Sequence, residues 1–181
     1  MKKIVVLGPE STGKSFLCEQ LATHYKSQWV LEYAREYLEK NGTDYKFEDL
    51  YEIAQGQLKY EDLATVNGQP AIDKEHPGKK PLFLDTDLYT IRIWSEISFN
   101  CCDNRILTQI AKRRYELYLL CNTDLPWVPD PLREYPDLVS RQKIYNYYKD
   151  ALINQEMPWV DISGNYEERF LKAVEAVDSL L

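Results

Sequence analysis

Gly8-Pro9-Glu10-Ser11-Thr12-Gly13-Lys14-Ser15 follows directly after the apolar run Lys3-Ile4-Val5-Val6-Leu7. The octapeptide has the spacing G-x-x-x-x-G-K-S, and it lies where a strand passes through a glycine-bounded loop into a helix. That is the context in which this spacing forms a phosphate-binding loop, or P-loop. The two glycines let successive backbone N–H groups point into one concavity, and the following helix adds the positive end of its dipole. The sequence therefore predicts a nucleoside triphosphate site.

Within this loop, two side chains have specific expected roles. We expect Lys14 to reach the β- and γ-phosphates and the Ser15 hydroxyl to ligate Mg²⁺. The full set of predicted nucleotide contacts is Gly8, Glu10, Ser11, Thr12, Gly13, Lys14, Ser15 and Phe16.

Length and charge narrow the class of protein. The chain has 181 residues and a formal net charge of -7, so we predict a single domain over residues 1–181 with one sizeable core. An acidic chain lacks the basic surface of a nucleic-acid binder, and we expect no nucleic-acid partner. No apolar run approaches the roughly 18 residues of a membrane span, so we expect no membrane partner and a cytoplasmic location. Composition leaves the oligomeric state open.

Apolar runs and helical spacing alternate along the chain. Alternation of this kind is typical of a parallel sheet covered by helices on both faces. We predict an α/β P-loop NTPase fold, similar to nucleoside and nucleotide kinases, with five strands near residues 3–7, 29–32, 82–86, 115–121 and 159–163. Helical spacing further predicts that Phe16, Tyr147 and Leu171 lie on inward or half-inward helix faces and that Arg113 is exposed.

Two acids end the apolar run Pro81-Leu82-Phe83-Leu84-Asp85-Thr86-Asp87. A strand that ends in an acid is typical of a Walker B strand, whose carboxylate lies beside Mg²⁺. On an extended strand Asp85 and Asp87 share one face, where their repulsion needs a cation or a hydroxyl donor between them. This stretch therefore predicts a metal-side carboxylate close to the P-loop.

A charged segment follows the second predicted strand. Glu32 and Arg35 lie where that strand gives way to a helix, and the carboxyl ends of parallel strands face the ligand crevice. We expect both residues near the group that receives the phosphate. The alternative is a solvated, charged helix start.

Prolines are dense from Asn122 to Asp137, which excludes a regular helix. This segment carries Arg133 and is followed by Arg141, and an arginine fork matches phosphate oxygens as charge builds during transfer. We predict a lid over residues 122–141; the alternative is that both arginines form surface ion pairs. The Pro-, Gly- and Lys-rich segment 67–80 is expected to be a mobile surface loop.

Several of these motifs recur in the same order in one family. Beside the P-loop they are Glu32-Tyr33-Ala34-Arg35-Glu36, Ile53-Ala54-Gln55-Gly56, Tyr60, Phe83-Leu84-Asp85-Thr86-Asp87, Asn122-Thr123-Asp124-Leu125-Pro126-Trp127, Asp130, Arg133, Arg141 and Tyr166-Glu167-Glu168-Arg169-Phe170-Leu171. Over essentially its whole length the chain resembles the nicotinamide riboside kinase domain of NadR-type bifunctional proteins, here as a standalone domain.

The resemblance implies that the ATP γ-phosphate is transferred to the 5′-hydroxyl of nicotinamide riboside, giving nicotinamide mononucleotide. It implies ATP and Mg²⁺ as cofactors and a small nucleoside as partner. The implied catalytic residues are Lys14, Asp85, Asp87, Arg133 and Arg141, and Ser15 and Asp85 would hold the metal. The implied substrate contacts are Glu32, Arg35, Tyr60, Asp87 and Trp127, with Tyr60 stacking on the positively charged ring.

Two questions stay open in the sequence. Any of Asp85, Asp87 and Glu32 could take the hydroxyl proton, although a role for Asp87 predicts that Asp87→Asn keeps ATP binding and loses turnover. Leu31 stands where the family tends to have a tryptophan, and Trp29 is the candidate substitute. The alternatives are therefore a kinase for another nucleoside or nucleotide, or a nucleotide-dependent switch, although the guanine-reading N-K-x-D of switches is absent from the sequence.

Overall fold

The chain builds one parallel sheet with helices packed on both faces. The structure is a computed structural model that describes residues 1–67 and 80–181. The strands are β1 (Lys3–Leu7), β2 (Gln28–Val30), β3 (Leu82–Asp85), β4 (Leu117–Cys121) and β5 (Trp159–Ile162). The helices are α1 (Lys14–His24), α2 (Tyr33–Asn41), α3 (Phe47–Asn67), α4 (Leu88–Phe99), α5 (Asn104–Lys112), α6 (Leu138–Ile153) and α7 (Tyr166–Asp178). Apart from its two end residues, the predicted loop 67–80 lies outside the described residues.

The strand order places the P-loop at the centre of the sheet. The five strands run in parallel in the order β2-β3-β1-β4-β5. The chain therefore crosses from one side of β1 to the other, and open α/β sheets bind ligands at such a switch point, outside the carboxyl ends of the strands. Val6 is in register with Asp85, so the end of β3 lies beside the start of the P-loop. The predicted five-stranded parallel α/β fold is confirmed.

The core consists of two layers because side chains alternate along each strand. Ile4 and Val6 face α1 and α7, where they pack with fully buried Phe83 and Leu119. Val5 and Leu7 face the opposite side and pack against α4 and α6. Within residues 1–67 and 80–181, no helix has the length and apolarity needed to cross a membrane.

Some element ends differ from the sequence prediction. β2 ends at Val30, two residues early, because Glu32 already serves as the N-cap residue of α2. α5 begins at Asn104 because the Asp103 side chain caps it by accepting from the Arg105 N–H. The early end of β2 places Glu32 at the junction between strand and helix.

Four expectations about burial are wrong. Phe16, Tyr147 and Leu171 are 46%, 44% and 59% exposed. The buried face of α6 runs through Arg141, Ile144, Tyr145, Tyr148 and Leu152, which leaves Tyr147 beside it. The buried positions of α7 are Arg169, Ala173 and Val177, so Leu171 lies on the other side. Arg113 is half-buried because it pairs with Glu61 at 2.9 Å and with Asp62 at 3.0 Å.

Candidate active site

The backbone of the P-loop adopts the positive φ angles that its two glycines allow. Gly8 and Gly13 adopt φ values of 140° and 78°, which favour glycine. A Cβ at Gly8 would lie 2.6 Å from the Cys121 carbonyl oxygen, so only glycine lets the loop pass this close to β4. Ser11 also has a positive φ, at 56°. The loop then enters α1 at Lys14.

The loop is braced by its own polar side chains. Thr12 Oγ1 and Lys14 Nζ both donate to the Pro9 carbonyl oxygen, at 2.7 and 2.9 Å. Lys14 therefore already lies over the concavity that its ammonium group is expected to serve.

Arg169 on α7 donates hydrogen bonds that connect the P-loop to two other segments. This buried guanidinium donates to the carbonyl oxygens of Thr12, Asn122 and Gly164 at 2.8, 2.9 and 2.7 Å, and it pairs with Asp124. Three segments that are distant in sequence are thereby fixed to one side chain. In the sequence, Arg169 stands out only as part of a family motif, and no role follows for it there.

A cavity of about 390 Å³ opens above the P-loop, between α2, α4, α6 and the loop that follows β4. Its walls include eleven of the predicted site residues: Gly8, Glu10, Ser11, Thr12, Gly13, Lys14, Ser15, Phe16, Glu32, Arg35 and Arg133. The structure thus brings together the P-loop and the charged start of α2, which are separate in the sequence. The other predicted site residues lie behind or beside these walls.

Asp85 lies directly behind the P-loop at the end of β3. It is buried, and its Oδ1 has no hydrogen-bond partner among the described residues. Burial and then the nearby charge of Glu32 raise the pKa of Asp85, against the opposing effects of Lys14 and the Ser15 hydroxyl. A buried carboxylate oxygen without a partner, next to a hydroxyl group, fits a hard divalent cation such as Mg²⁺.

Asp87 has a different environment. Its Oδ1 caps α4 by accepting from the Tyr89 N–H at 3.0 Å, and its Oδ2 accepts from the Tyr118 hydroxyl at 3.2 Å. Burial raises the pKa of Asp87 to about 7. Both carboxylate oxygens are therefore engaged within the protein, and the side chain lies outside the cavity wall.

The loop between β4 and α6, residues 122–137, is docked onto the P-loop. Ser11 Oγ accepts from the Val128 N–H at 2.8 Å. Glu10 Oε2 accepts from the N–H groups of Glu134 and Tyr135 at 2.9 and 3.1 Å. Burial raises the pKa of Glu10, although these two N–H groups oppose the shift. Both contacts come from the variable positions of the P-loop motif.

Two predicted lid arginines lie near the ring of Trp127. The guanidinium carbons of Arg133 and Arg141 are 5.8 and 5.5 Å from the Trp127 ring centre. Arg141 is buried and donates to the Leu125 carbonyl oxygen at 3.5 Å. Trp127 and Arg141 thus contribute to packing of the loop and lie outside the cavity wall.

Tyr60 on α3 also lies outside the cavity. Its hydroxyl donates to Glu36, and its ring packs edge-on against Tyr33 with centres 5.2 Å apart. The structure therefore does not bring Tyr60 together with the P-loop and Glu32.

Part of the cavity wall is aromatic, a feature that the sequence did not predict. Tyr45, Trp94 and Tyr135 line it together with Leu38, Ile93 and Ile97, and we call this part the aromatic chamber. The rings of Tyr45 and Trp94 meet edge-on with centres 4.6 Å apart. These residues come from α2, the α2–α3 connection, α4 and the β4–α6 loop, so no local motif marks them. The helical members, Leu38 on α2 and Ile93, Trp94 and Ile97 on α4, have the spacing of ordinary core positions.

The fold and this site define a P-loop nucleotide-binding protein. A family model described as an AAA domain matches residues 3–169, and the chain belongs to that family. The chain is also 27% identical, over its whole length, to the trifunctional NAD biosynthesis/regulator protein NadR of Escherichia coli (strain K12) and of Salmonella typhimurium (strain LT2). It spans 43% of each of these relatives.

Several solved structures have a fold similar to that of this chain. A crystal structure of NadR protein in complex with NR matches 99% of this chain and 49% of its own, with a TM-score of 0.75 and 24% identity. A NadR complex with NAD and AMP-PNP covers the same shares of both chains, at a TM-score of 0.71 and 23% identity. Deoxyadenosine kinase from M. mycoides, with products dCMP and dCDP, has a TM-score of 0.65 at 12% identity, covering 98% of this chain and 99% of its own.

Proposed function

We propose that this protein is an ATP-dependent kinase that phosphorylates the 5′-hydroxyl of nicotinamide riboside to give nicotinamide mononucleotide. One observation carries the proposal: the P-loop, the Glu32 carboxylate and the aromatic chamber line a single cavity at the switch point of the sheet. A triphosphate and a nucleoside could therefore both bind in it. The likeness to NadR bound to NR and to AMP-PNP supports this choice of substrates.

At the phosphate end, the chain's own groups stabilise charge. The N–H groups of the P-loop and the dipole of α1 would surround the β-phosphate, and Lys14 would leave the Pro9 carbonyl oxygen for the phosphate oxygens. Arg133 lines the same cavity and could meet the transferred group from the loop side. Each contact gains strength as negative charge builds during transfer.

Ser15 and Asp85 are the residues that would hold Mg²⁺, since the unpartnered Asp85 Oδ1 needs a cation or a donor. When bound, Mg²⁺ supplies positive charge to the β- and γ-phosphate oxygens. Ser15 and Asp85 come from β1–α1 and β3, whose neighbouring positions are fixed by the register of Val6 with Asp85.

Glu32 is the carboxylate best placed to receive the proton of the acceptor. Of the three acids that the sequence left open, only Glu32 lines the cavity, whereas both oxygens of Asp87 are engaged and Asp85 lies behind the P-loop. In the proposed step, the bond between the γ-phosphorus and the ADP oxygen breaks and a bond to the 5′-oxygen forms. The hydroxyl proton passes to Glu32, and ADP leaves.

We also propose that residues 1–181 act as a single kinase domain with its lid at 122–141. The contacts of Glu10 and Ser11 with the β4–α6 loop support this role, because they join the loop directly to the P-loop. A closed loop keeps water from competing with the nucleoside for the phosphoryl group.

A second candidate is a kinase for a different nucleoside. Leu31, which takes the place of the family's usual tryptophan, is 56% exposed and offers no aromatic wall. The likeness of the fold to deoxyadenosine kinase is compatible with such an acceptor.

The test is a coupled assay of ADP release with ATP and Mg²⁺ and a panel of nucleosides that includes nicotinamide riboside. We expect strong stimulation by nicotinamide riboside, with nicotinamide mononucleotide identified by mass spectrometry. Lys14→Ala should lower kcat by roughly a hundredfold or more, whereas the exposed control Lys149→Ala should behave as wild type. Stimulation by another nucleoside alone would favour the second candidate, and hydrolysis indifferent to every nucleoside would favour a switch.

A further inference from the structure

Gln57 of α3 is a buried amide that contacts the junction between β2 and α2. Its Oε1 accepts from the Tyr33 N–H at 2.8 Å, and its Nε2 donates to the Leu31 carbonyl oxygen at 3.4 Å. Tyr33 is the first residue of α2, and the first N–H groups of a helix have no partner within the helix itself. The buried amide therefore supplies a partner that the start of α2 needs.

The two contacts of Gln57 lie on either side of Glu32. The Leu31 carbonyl belongs to the peptide group that precedes the Glu32 Cα, and the Tyr33 N–H belongs to the peptide group that follows it. Because each peptide group is planar, holding both groups restrains the two backbone angles between them, which are φ -68° and ψ 110° for Glu32. One side chain thus sets the direction in which the Glu32 side chain leaves the backbone.

The Glu32 carboxylate does not serve the helix that it precedes. Glu32 is the N-cap residue of α2, yet within the described part of the chain its side chain accepts no cap hydrogen bond. Polar side chains at this position commonly accept from N–H groups in the first turn of the helix. Here Gln57 bonds the first of those N–H groups, and the Glu32 side chain lines the cavity instead.

The neighbouring Gly56 lets the same junction pack against α3. A Cβ at Gly56 would lie 2.0 Å from Cε1 of the Tyr33 ring, so only a residue without a side chain allows this ring to lie on the helix. Gly56 and Gln57 therefore contact the ring and the N–H group of one residue. This contact gives a physical reason for the glycine in the motif Ile53-Ala54-Gln55-Gly56.

α3 is itself anchored to the sheet one turn beyond Gln57. Glu61 is buried, and its carboxylate pairs with Lys3 and with Arg113, each at 2.9 Å. Lys3 begins β1, the strand that leads into the P-loop. Gln57 and Glu61 are four positions apart and lie on one face of the helix. The junction that carries Glu32 is thereby connected, through α3, to the strand that carries the P-loop.

We propose that Gln57 is a positioning residue that holds the Glu32 carboxylate toward the acceptor hydroxyl, and that Gly56 provides the space which this junction needs. The proposal rests on the proposed function, because it concerns the group that would receive the hydroxyl proton. Gln57 lies outside the cavity wall and acts through Glu32. Misplacing a catalytic group by about 1 Å can cost roughly a hundredfold in rate, so the hydrogen bonds of Gln57 matter for turnover.

The first test is a kinetic double-mutant cycle. Gln57→Met keeps the approximate length of the side chain and removes both hydrogen bonds. We expect kcat to fall by roughly ten- to a hundredfold, while KM for ATP and KM for nicotinamide riboside stay close to wild type. In the Glu32→Gln background the same change should lower kcat no further, because the positioned group has already lost its function. The control Gln55→Met, at an exposed position of the same helix, should behave as wild type.

The second test needs no substrate. Exchange of the Tyr33 amide hydrogen with solvent is followed by NMR, and the free energy of unfolding is measured by urea denaturation for the same samples. Exchange should be roughly five- to tenfold faster in Gln57→Met, the usual effect of one lost hydrogen bond, and unchanged in Gln55→Met. If Gln57→Met does not fold, Gly56→Ala disturbs the same junction and is taken through the same cycle.

Several outcomes would overturn the proposal. Additive losses of kcat in Gln57→Met and Glu32→Gln would reduce Gln57 to a packing role. A raised KM for nicotinamide riboside with normal kcat would assign Gln57 to nucleoside binding, and unchanged exchange at Tyr33 would contradict the geometry whatever the activity.

Failure of the proposed function gives a different pattern. If wild type responds only to another nucleoside, nicotinamide riboside is the wrong acceptor, and the cycle measured with that nucleoside decides the role of Gln57. Stimulation by no nucleoside would overturn both proposals.

Discussion

Arg35 and Asp130 form an ion pair, with 2.9 Å between Nη2 and Oδ2, that joins α2 to the β4–α6 loop. The N–H group of Leu132 and then the Arg35 guanidinium hold the pKa of Asp130 below its usual range. The pair joins the start of α2, which lines the cavity, to the loop that contacts the P-loop. Arg35, which the sequence assigned to the substrate, thus uses its charge to hold the loop.

Asp130→Asn should therefore weaken loop closure more than it weakens the fold. A partly exposed ion pair contributes about 1 kcal/mol or less to unfolding, so Tm should change little. We expect KM for ATP and for the acceptor to rise together, as measured by initial rates. The double variant Arg35→Ala/Asp130→Asn should be no worse than Arg35→Ala alone, and additive losses would show that the two residues act separately.

Glu32→Gln tests the proton acceptor. Because the amide cannot take the proton of the 5′-hydroxyl, kcat should fall by roughly two to four orders of magnitude, with KM for ATP unchanged. The control is Glu36→Gln, one turn further along α2 and exposed. Turnover near wild type in Glu32→Gln would assign the proton to another group.

Asp87→Asn distinguishes the sequence-based expectation from the structural one. The sequence predicts lost turnover, whereas in the structure Asp87 caps α4, and asparagine caps helices about as well as aspartate. We therefore expect turnover within a few-fold of wild type for Asp87→Asn. Asp87→Ala should lower the free energy of unfolding by about 1 kcal/mol, measured by urea denaturation. A folded Asp87→Asn protein without turnover would restore the catalytic role.

Arg169→Leu should damage both stability and nucleotide binding. Removing the guanidinium leaves three carbonyl oxygens without their donor, and a buried polar group left unpaired typically costs about 1–3 kcal/mol. We expect a large loss in urea denaturation and a raised Kd for ATP. Arg105→Leu removes an exposed arginine that pairs with Asp103, and its urea denaturation should stay close to that of wild type because exposed ion pairs contribute little to stability. Equal losses of stability in the two variants would argue against a special role of the Arg169 hydrogen bonds.

Structural features that depend on a local sequence pattern are the ones best predicted from the sequence. The apolar runs around Val5, Phe83 and Leu119 mark the strands, and the glycine spacing of the P-loop defines its backbone. Helix faces are less reliable, because shifting the face by one position exchanges Tyr147 for Tyr148. Arg113 shows another limit, since no local feature of the sequence reveals that Glu61 needs a charged partner.

The residues of the candidate site fall into the same two groups, those that a local motif marks and those that meet only in the folded chain. The P-loop residues and Glu32 follow from motifs, but the chamber combines Tyr45, Trp94 and Tyr135 from segments that meet only in the folded chain. Asp85 and Asp87 look equivalent in the sequence. They differ in the structure because the strand ends between them, so that one faces Ser15 and the other caps a helix.

The hydrogen bond from Arg169 to the Thr12 carbonyl oxygen joins residues that are 157 positions apart in the chain. A ribosome that adds about 5–20 residues each second needs roughly 8–30 s to cover that distance. During this interval the nascent chain already contains the P-loop sequence but lacks the side chain that fixes its backbone. Capture of ATP should therefore begin only after α7 has docked, so that a partly synthesised chain does not hold the nucleotide.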